Sequence, residues 1–522
     1  MRSAPSHARG LSSAGRFPRA LAVLTVLLAV SGCASLKPEA LTSDEIKMAV
    51  DADRLALSKD VEALNGPLTL EEAIARAIRY NAARRLKTME EAFAFGTFDA
   101  QRYDMLPKLV ASAGYRYRDE DLITRSEDSV TGKPSLANPY ISSDRSATTT
   151  GLVFSWSLLD FGQSYFAAKQ SADRALIETE RRRKALHNLI QDVRTSYWRV
   201  VAAQKLKDDL GATIKEAEAA LTQARQAETE KLRSPLEPLR YQRQMLENLH
   251  MLELIEQELS SARIELATLT HLPYAQAVEV VEPALVPDSA WLNIPVEKME
   301  EFALQRNPDI RESLYNTRIA RLETRRTILK LFPGLSFNYG HQHSDDRYLI
   351  NQSWNEAGAQ ISLNLLGLIS APVQKRLADA GVALADQKRM ATQMAVLTQL
   401  HLARLQYANA AHALERSQMI AQVDQRIAEH SAHLESVEKQ SHQELIANRT
   451  AAILSTLRRY QALSNAQAAA SRLQASLGLE PVIANDEKSS LKELTAVVAQ
   501  SLKTWEAGQL PELKANSAVG KE

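Results

Sequence analysis

The sequence predicts a mainly α chain with a small β part, in which long helical-hairpin coiled coils adjoin four transmembrane β-strands per protomer. Three observations predict it. The chain carries one plan twice. Four short segments alternate strictly between apolar and small or polar residues. Two stretches of about 70 residues hold no proline at all.

The elements follow in order. Arg2, Arg9, Arg16 and Arg19, with no acidic residue among them, precede the uncharged run Leu21 to Val30. A basic start, a short apolar stretch and small residues after it describe a secretory signal over 1–32. The run is far shorter than the roughly 20 apolar residues of a spanning helix. Cys33 is the only cysteine in 522 residues. It has no partner for an internal disulfide and cannot supply a paired-thiolate zinc site. Val30-Ser31-Gly32-Cys33 resembles the bacterial lipobox. That resemblance implies cleavage before Cys33 and a covalent lipid on it, with no other cofactor. An ordinary signal peptide that ends near a cysteine is the alternative. Ala34, rather than Asp, follows the cysteine, which by the same resemblance favours the outer membrane. Residues 33–67 read as a mostly helical, lipidated tether.

Charge is balanced, with 63 basic and 63 acidic residues, so nothing points to nucleic acid. Glycine and proline are scarce, 18 each, while Ala, Leu, Gln, Arg and Glu abound, a composition that favours long helices.

The repeat is legible in fixed offsets. Asn81 and Asn307, Pro107 and Pro333, and Gly114 and Gly340 all stand 226 apart. Leu158-Leu159 and Leu365-Leu366 stand 207 apart, as do Ser234-Pro-Leu-Glu237 and Ser441-His-Gln-Glu444. The difference falls between Gly114 and Leu158, which marks a surface loop from Arg118 to about Thr148. Its counterpart, His343 to Glu356, is shorter. The first repeat is expected over 68–273, a linker over 274–294 and the second repeat over 295–481. A tail over 482–522 is expected to hold one helix, Leu491 to Glu506.

The segments flanking the two loops, 109–118, 150–158, 335–342 and 357–365, have period two, which argues for strands. Leu109, Tyr115, Tyr117, Phe154, Trp156, Phe337 and Tyr339 share the apolar face. The length and pattern suit a barrel with lipid outside and water inside. A four-stranded sheet packed on soluble helices explains the alternation equally well. Four strands cannot close, and lipid does not tolerate open edges, so spanning strands need further copies. Two copies give eight strands and three give twelve, both permitted counts.

Long helices are expected from Gln163 to about Lys231 and from Val373 to Gln440. Leu210, Ile214, Ala217, Leu221 and Ala224 carry coiled-coil spacing, as do Ile420, Val423, Ile427, His430, Leu434 and Val437. Met245, Leu252, Leu259 and Leu266 recur every seven on a returning helix. Both turns, Ser234 to Glu237 and Ser441 to Glu444, read S-x-x-E and predict capping boxes. A coiled-coil spacer with no channel fits these helices as well.

These features in this order, twice over, resemble the TolC-type outer-membrane efflux family across about 68–481. The resemblance implies a homotrimer whose strands close a twelve-stranded barrel above a helical tunnel. It implies a periplasmic adaptor (membrane fusion protein) gripping the tips at Ser234, Glu237, Ser441 and Glu444, and an inner-membrane pump beyond. Many members are lipoproteins, which would account for Cys33. Glu444 stands where the family often places a pore-facing carboxylate, and three copies would form an acidic ring that favours cations. Glu444 as a helix cap alone is the competing reading. Where the family commonly has a glycine three residues before the hairpin serine, this chain has Lys231 and Glu438. Where some members close the pore entrance with arginine, it has Gln440.

Other constellations carry less. His341-Gln-His343 with Asp345 and Asp346 lies at a loop where polar residues are expected. His430 and His433 sit one turn apart on a helix. Arg181-Arg182-Arg183-Lys184 reads as a solvated helix face. No G-x-S-x-G, H-E-x-x-H or Walker loop is present, so no enzyme is expected. The sequence therefore predicts a passive outer-membrane duct for efflux or type I-like secretion, lipid-anchored and reaching into the periplasm. The alternative is a coiled-coil outer-membrane lipoprotein that spaces or scaffolds without conducting.

Overall fold

The computed structural model describes residues 39–511 apart from 126, 135–138, 230–235, 275–277, 284–288, 438–440 and 484–488. The expected signal segment, Cys33, Ser234 and Gln440 lie outside the described residues, as does the side chain of Glu237. The chain forms two compact units, Met1–Val61 and Glu62–Glu522.

The first unit holds α1 (Ser43–Ser58), which has no buried residue. Thr42 caps it, and Glu45 reaches back to the Thr42 amide at 2.8 Å, completing a capping box.

In the second unit the two asparagines punctuate equivalent helix pairs. Asn81 ends α2 (Leu70–Tyr80) and caps α3 (Ala82–Arg102), accepting from the Arg84 amide at 3.1 Å. Asn307 ends α6 (Val296–Arg306) and caps α7 (Pro308–Leu329), accepting from Asp309 at 2.9 Å. Pro308 opens α7 where a missing N–H costs nothing. Each asparagine also donates to a returning helix: Asn81 to the Leu269 carbonyl at 3.3 Å, Asn307 to the Ser476 carbonyl at 3.0 Å. A short side chain with both a donor and an acceptor can serve both ends of such a corner.

The sheet has the order β1 (Lys108–Tyr117), β4 (Ser146–Ser157), β5 (Gly334–Ser344), β6 (Ser353–Ser362), all antiparallel. A two-residue pair, β2 (Ile123–Thr124) with β3 (Tyr140–Ile141), stiffens the long first loop. The hairpin registers match: Lys108 faces Ser155, and 226 and 207 residues on, Gly334 faces Ser362. The last strand lies earlier than the expected 357–365. Its pairing with β5 begins at Ser353, and Asn364 instead accepts from the Gly367 amide at 2.9 Å to cap the next helix.

Two helices of 72 residues leave the sheet, α4 (Leu158–Thr229) and α8 (Leu365–Ser436), each roughly 110 Å long. Both start earlier than expected. The second runs through Pro372, which is exposed, so water can serve the carbonyl that lost its donor. The returning helices α5 (Leu236–Thr270) and α9 (His442–Ser476) have 35 residues each. Met245, Leu252, Leu259 and Leu266 are buried as expected, and Ala217, Ala220, Leu221, Met245, Leu249 and Ile446 form one cluster.

One expected seam is not used within the protomer. Ile420, Val423, Ile427, His430, Leu434 and Val437 are exposed. The face of α8 that packs inside carries Tyr407, Leu414, Ala421 and Ala428, spaced by sevens. The two stripes share one periodicity, and spacing alone does not say which meets the chain's own neighbour.

Both returning helices end in a left-handed residue. His271 has φ 56° and Gly478 has φ 71°. The Leu272 and Leu479 amides then reach back to Ala267 and Gln474 at 2.9 and 3.0 Å, the longer bond of a Schellman ending. At Gly478 a Cβ would lie 2.5 Å from the Arg306 carbonyl oxygen, so the position requires glycine. The last helix, α10 (Leu491–Glu506), begins with a full Ser490–Glu493 capping box and buries Leu494, Val498, Leu502 and Trp505. No helix among the described residues is long and apolar enough to cross a membrane.

Candidate functional site

Three regions carry the expected functional residues. At the tip, Ser441 caps α9 and accepts from the Glu444 amide at 3.3 Å. The reciprocal half of the expected box is not made, because the exposed Glu444 carboxylate has no bond back to Ser441. A solvated carboxylate gains little from such a bond. Two helical turns into α9, Arg449 pairs with Glu216 of α4, fixing the returning helix to the outgoing one.

At the sheet, the apolar face is continuous across all four strands. Leu109 faces Phe154, Phe154 faces Tyr339, and Tyr339 faces Ala357. Leu109, Tyr115, Tyr117 and Tyr339 are more than half exposed, and every residue of β1 is exposed. The sheet is therefore not covered by its own helices, as the soluble-sheet alternative requires. Where β4 enters α4, Trp156 meets Phe161 edge-on at 5.9 Å, and Phe161 stacks on Tyr165 at 6.5 Å. The Lys169 ammonium lies 4.5 Å from the centre of the Tyr165 ring.

The two outer loops are tied together. Asp346 accepts from the Ser143 hydroxyl at 2.8 Å and the Asp144 and Tyr348 amides at 3.1 Å each. The Ser143 bond and these amides hold its carboxyl below the usual aspartate range. Asp144 in turn accepts from the Arg347 amide and guanidinium at 2.8 and 2.6 Å. His341 and His343 bond to Asn355 and Ser353 of β6 rather than converging with the two aspartates. No group of three or more metal-ligating side chains occurs among the described residues.

The basic run of α4 departs from its expected role. It is a belt of ion pairs: Arg181 and Lys184 remain half solvated, while Arg182 and Arg183 are largely covered. Arg181 bonds Glu312 at 2.9 Å, Arg182 bonds Glu91, and Lys184 bonds Asp309 at 2.8 Å. Arg183 joins Glu180 and Glu480 to the carbonyls of Arg306 and Gly478. Burial works to raise Glu480, but His187 and Arg183 outweigh it and hold its carboxyl below the ordinary range. Local sequence shows the cations and Glu178 and Glu180 one turn away, but not the distant partners on α3, on α7 and just after α9.

Sequence reasoning also missed Arg194. It is 2% exposed and donates to Ser471 at 2.8 Å, to Gln474 at 3.1 Å and to Gln467. Burial lowers it to about 10, so it remains a cation near neutrality. Burial also pushes Glu506 of α10 up, against the opposing influence of Arg194. The available signal was a lone arginine on an apolar stripe, with Ile190, Val193, Tyr197 and Val201 all buried around it.

The outer membrane efflux protein family model matches residues 87–270. No curated protein matches the chain. Among solved structures, the Campylobacter jejuni CmeC outer membrane channel is 14% identical with a TM-score of 0.61, over 89% of this chain and 97% of that one. A membrane protein from Pseudomonas aeruginosa is 16% identical with a TM-score of 0.61, over 81% and 92%. The open-state Neisseria gonorrhoeae MtrE outer membrane channel is 14% identical with a TM-score of 0.58, over 78% and 88%. The chain thus carries the sequence pattern of the outer membrane efflux protein family over residues 87–270, and over most of its length it folds like TolC-like outer-membrane channels.

Proposed function

We propose that the chain is the passive exit duct of a tripartite efflux or type I-like secretion system in the outer membrane. Three copies, each built on one duplicated plan, pool their strands into a twelve-stranded barrel. The helices continue as a tunnel in the periplasm, gated where the hairpin tips part. A periplasmic adaptor grips the tips, an inner-membrane pump supplies the energy, and a lipid on Cys33 anchors the start of the mature chain. No covalent chemistry belongs to this reading.

The observation that carries it is the uncovered sheet. Its apolar face and both of its edges, β1 and β6, stay open in a single protomer. In lipid that arrangement is stable only when further strands close it. The matched hairpin registers and the paired asparagine bonds support the duplication. The alternative of a coiled-coil spacer gives no reason for this face.

The test is single-channel recording from the purified full-length protein in planar bilayers. Discrete conductance steps are expected. An assembled protein that inserts but never conducts would sink the duct in favour of the spacer. Glu444 is assigned to the pore entrance, where its uncapped carboxylate faces the conducting path. Glu444→Gln should shift the reversal potential in a salt gradient toward lower cation preference, and an unchanged potential removes Glu444 from the pore.

A further inference from the structure

We infer that His341 and His343 form a binding site for a divalent transition-metal cation such as Zn²⁺, held by two neutral imidazoles on the exposed face of β5. The site is built by one protomer alone, so it stands or falls apart from the duct reading.

Side chains two residues apart on a strand leave the same face, about 6.6 Å from one another. His341 and His343 are so placed, and both are exposed. Each faces a polar residue of β6, His341 opposite Asn355 and His343 opposite Ser353. These partners orient the rings. His341 Nδ1 lies 2.9 Å from the Asn355 amide oxygen, which can only accept, so this nitrogen carries the proton and donates it. The lone pair of that ring is therefore on Nε2. His343 Nδ1 lies 2.9 Å from the Ser353 hydroxyl, which can accept in the same way. An imidazole that donates from one nitrogen offers the other to a metal, with its orientation and basicity already set. Two nitrogens that share Zn²⁺ at about 2.0–2.1 Å each stand about 3 Å apart, and rotations of the two side chains on one strand face can reach that separation.

The surroundings do not oppose a cation. On the same face Leu152 and Thr150 of β4 stand opposite the two histidines, and Tyr339 and Asp345 precede and follow them along the chain. None of these is cationic. Asp345 is held by the Thr148 amide at 2.6 Å, so its charge adds to the local field without joining the ligand set. Among the described residues no third metal-ligating side chain joins the pair. The remaining coordination positions are left to water, which makes this an open site rather than a closed structural centre.

The repeat shows that the strand itself does not require imidazoles here. The offset of 226 aligns His341 with Tyr115 and His343 with Tyr117. Their partners match as well: Tyr115 faces Thr148 and Tyr117 faces Ser146, 207 residues before Asn355 and Ser353. Two hairpins of one plan thus carry tyrosines at these rungs on one strand and metal-ligating side chains on the other. His430 and His433 of α8 are a second exposed pair, one helical turn apart, and serve as the control.

Calorimetric titration of Zn²⁺ into the full-length protein, purified without a histidine tag, tests the site. Binding at one site per chain is expected. His341→Tyr with His343→Tyr, which installs the side chains of the first hairpin, should abolish it while the thermal melt stays that of the parent. Asn355→Ala should weaken binding about tenfold, because it frees a ring without removing a ligand. His430→Gln with His433→Gln should leave binding unchanged. Cu²⁺ binds imidazole sites more tightly than Zn²⁺, and the EPR spectrum of the Cu²⁺-loaded parent should show two nitrogen ligands, a readout that needs no variant. No Zn²⁺ uptake by the parent, uptake that survives the double substitution on β5, loss that follows the α8 histidines instead, or a spectrum with fewer than two nitrogens would each overturn the site. Conductance plays no part in these measurements, so a failure of the duct and a failure of the site are told apart.

Discussion

The helices α4 and α8 have the same length and each follows a strand of the sheet, yet they present different chemistry. The first is flanked by its own chain and bonded to it through Asp173, Arg181, Arg182 and Lys184. The second leaves Leu377, Leu384, Ile420 and Ile427 open along its side. The difference follows who supplies the neighbour. Within a chain, connectivity already sets the alignment, and partly exposed ion pairs such as Arg181–Glu312 and Lys184–Asp309 can hold it at little desolvation cost. On the duct reading proposed above, apolar burial would supply the drive for copies to associate.

The contrast can be broken most strongly at Arg194. Arg194→Met leaves Gln467, Ser471 and Gln474 buried without their donor, and a loss of about 3 kcal/mol is expected in denaturant or thermal unfolding. The equivalent position on α8 is His401, whose ring is 53% exposed beside Glu300. His401→Ala should cost less than about 0.5 kcal/mol. Equal losses at the two sites would erase the distinction between the helices.

Next comes Arg318. Arg318→Ala strips the 5% exposed Asp173 carboxylate of its partner and should cost about 2 kcal/mol.

The smallest effect belongs to the tip. Ser441→Ala removes the cap of α9 and should cost about 1 kcal/mol. Glu444→Ala should leave stability nearly unchanged, since its carboxylate makes no capping bond. Thermal melts of the two variants against the parent measure both.

Much of this architecture is legible in the sequence because it is written in local patterns. Period two placed the four strands, and the absence of proline with only one glycine in each stretch placed the long helices to within about two turns. Fixed offsets aligned Asn81 with Asn307 before either was seen to cap a helix. What stayed hidden was partnership. The run Arg181 to Lys184 looks solvated because Glu312 and Asp309 are more than a hundred residues away. The stripe Ile420 to Val437 looks like an internal seam because periodicity does not name the helix that covers it. The S-x-x-E turn revealed its serine cap but not that the glutamate stays free, which depends on solvent rather than spacing.

The hydrogen bonds of Arg194 have one more consequence, for the order in which the protein is made. Its acceptors follow it by 273 to 280 residues, and Arg183 waits 295 residues for the Gly478 carbonyl. A chain made from its N-terminus therefore leaves Arg194 without these acceptors until the second returning helix has been made. Contacts of such long separation form late and slowly. This part of the protomer is completed only when α9 docks.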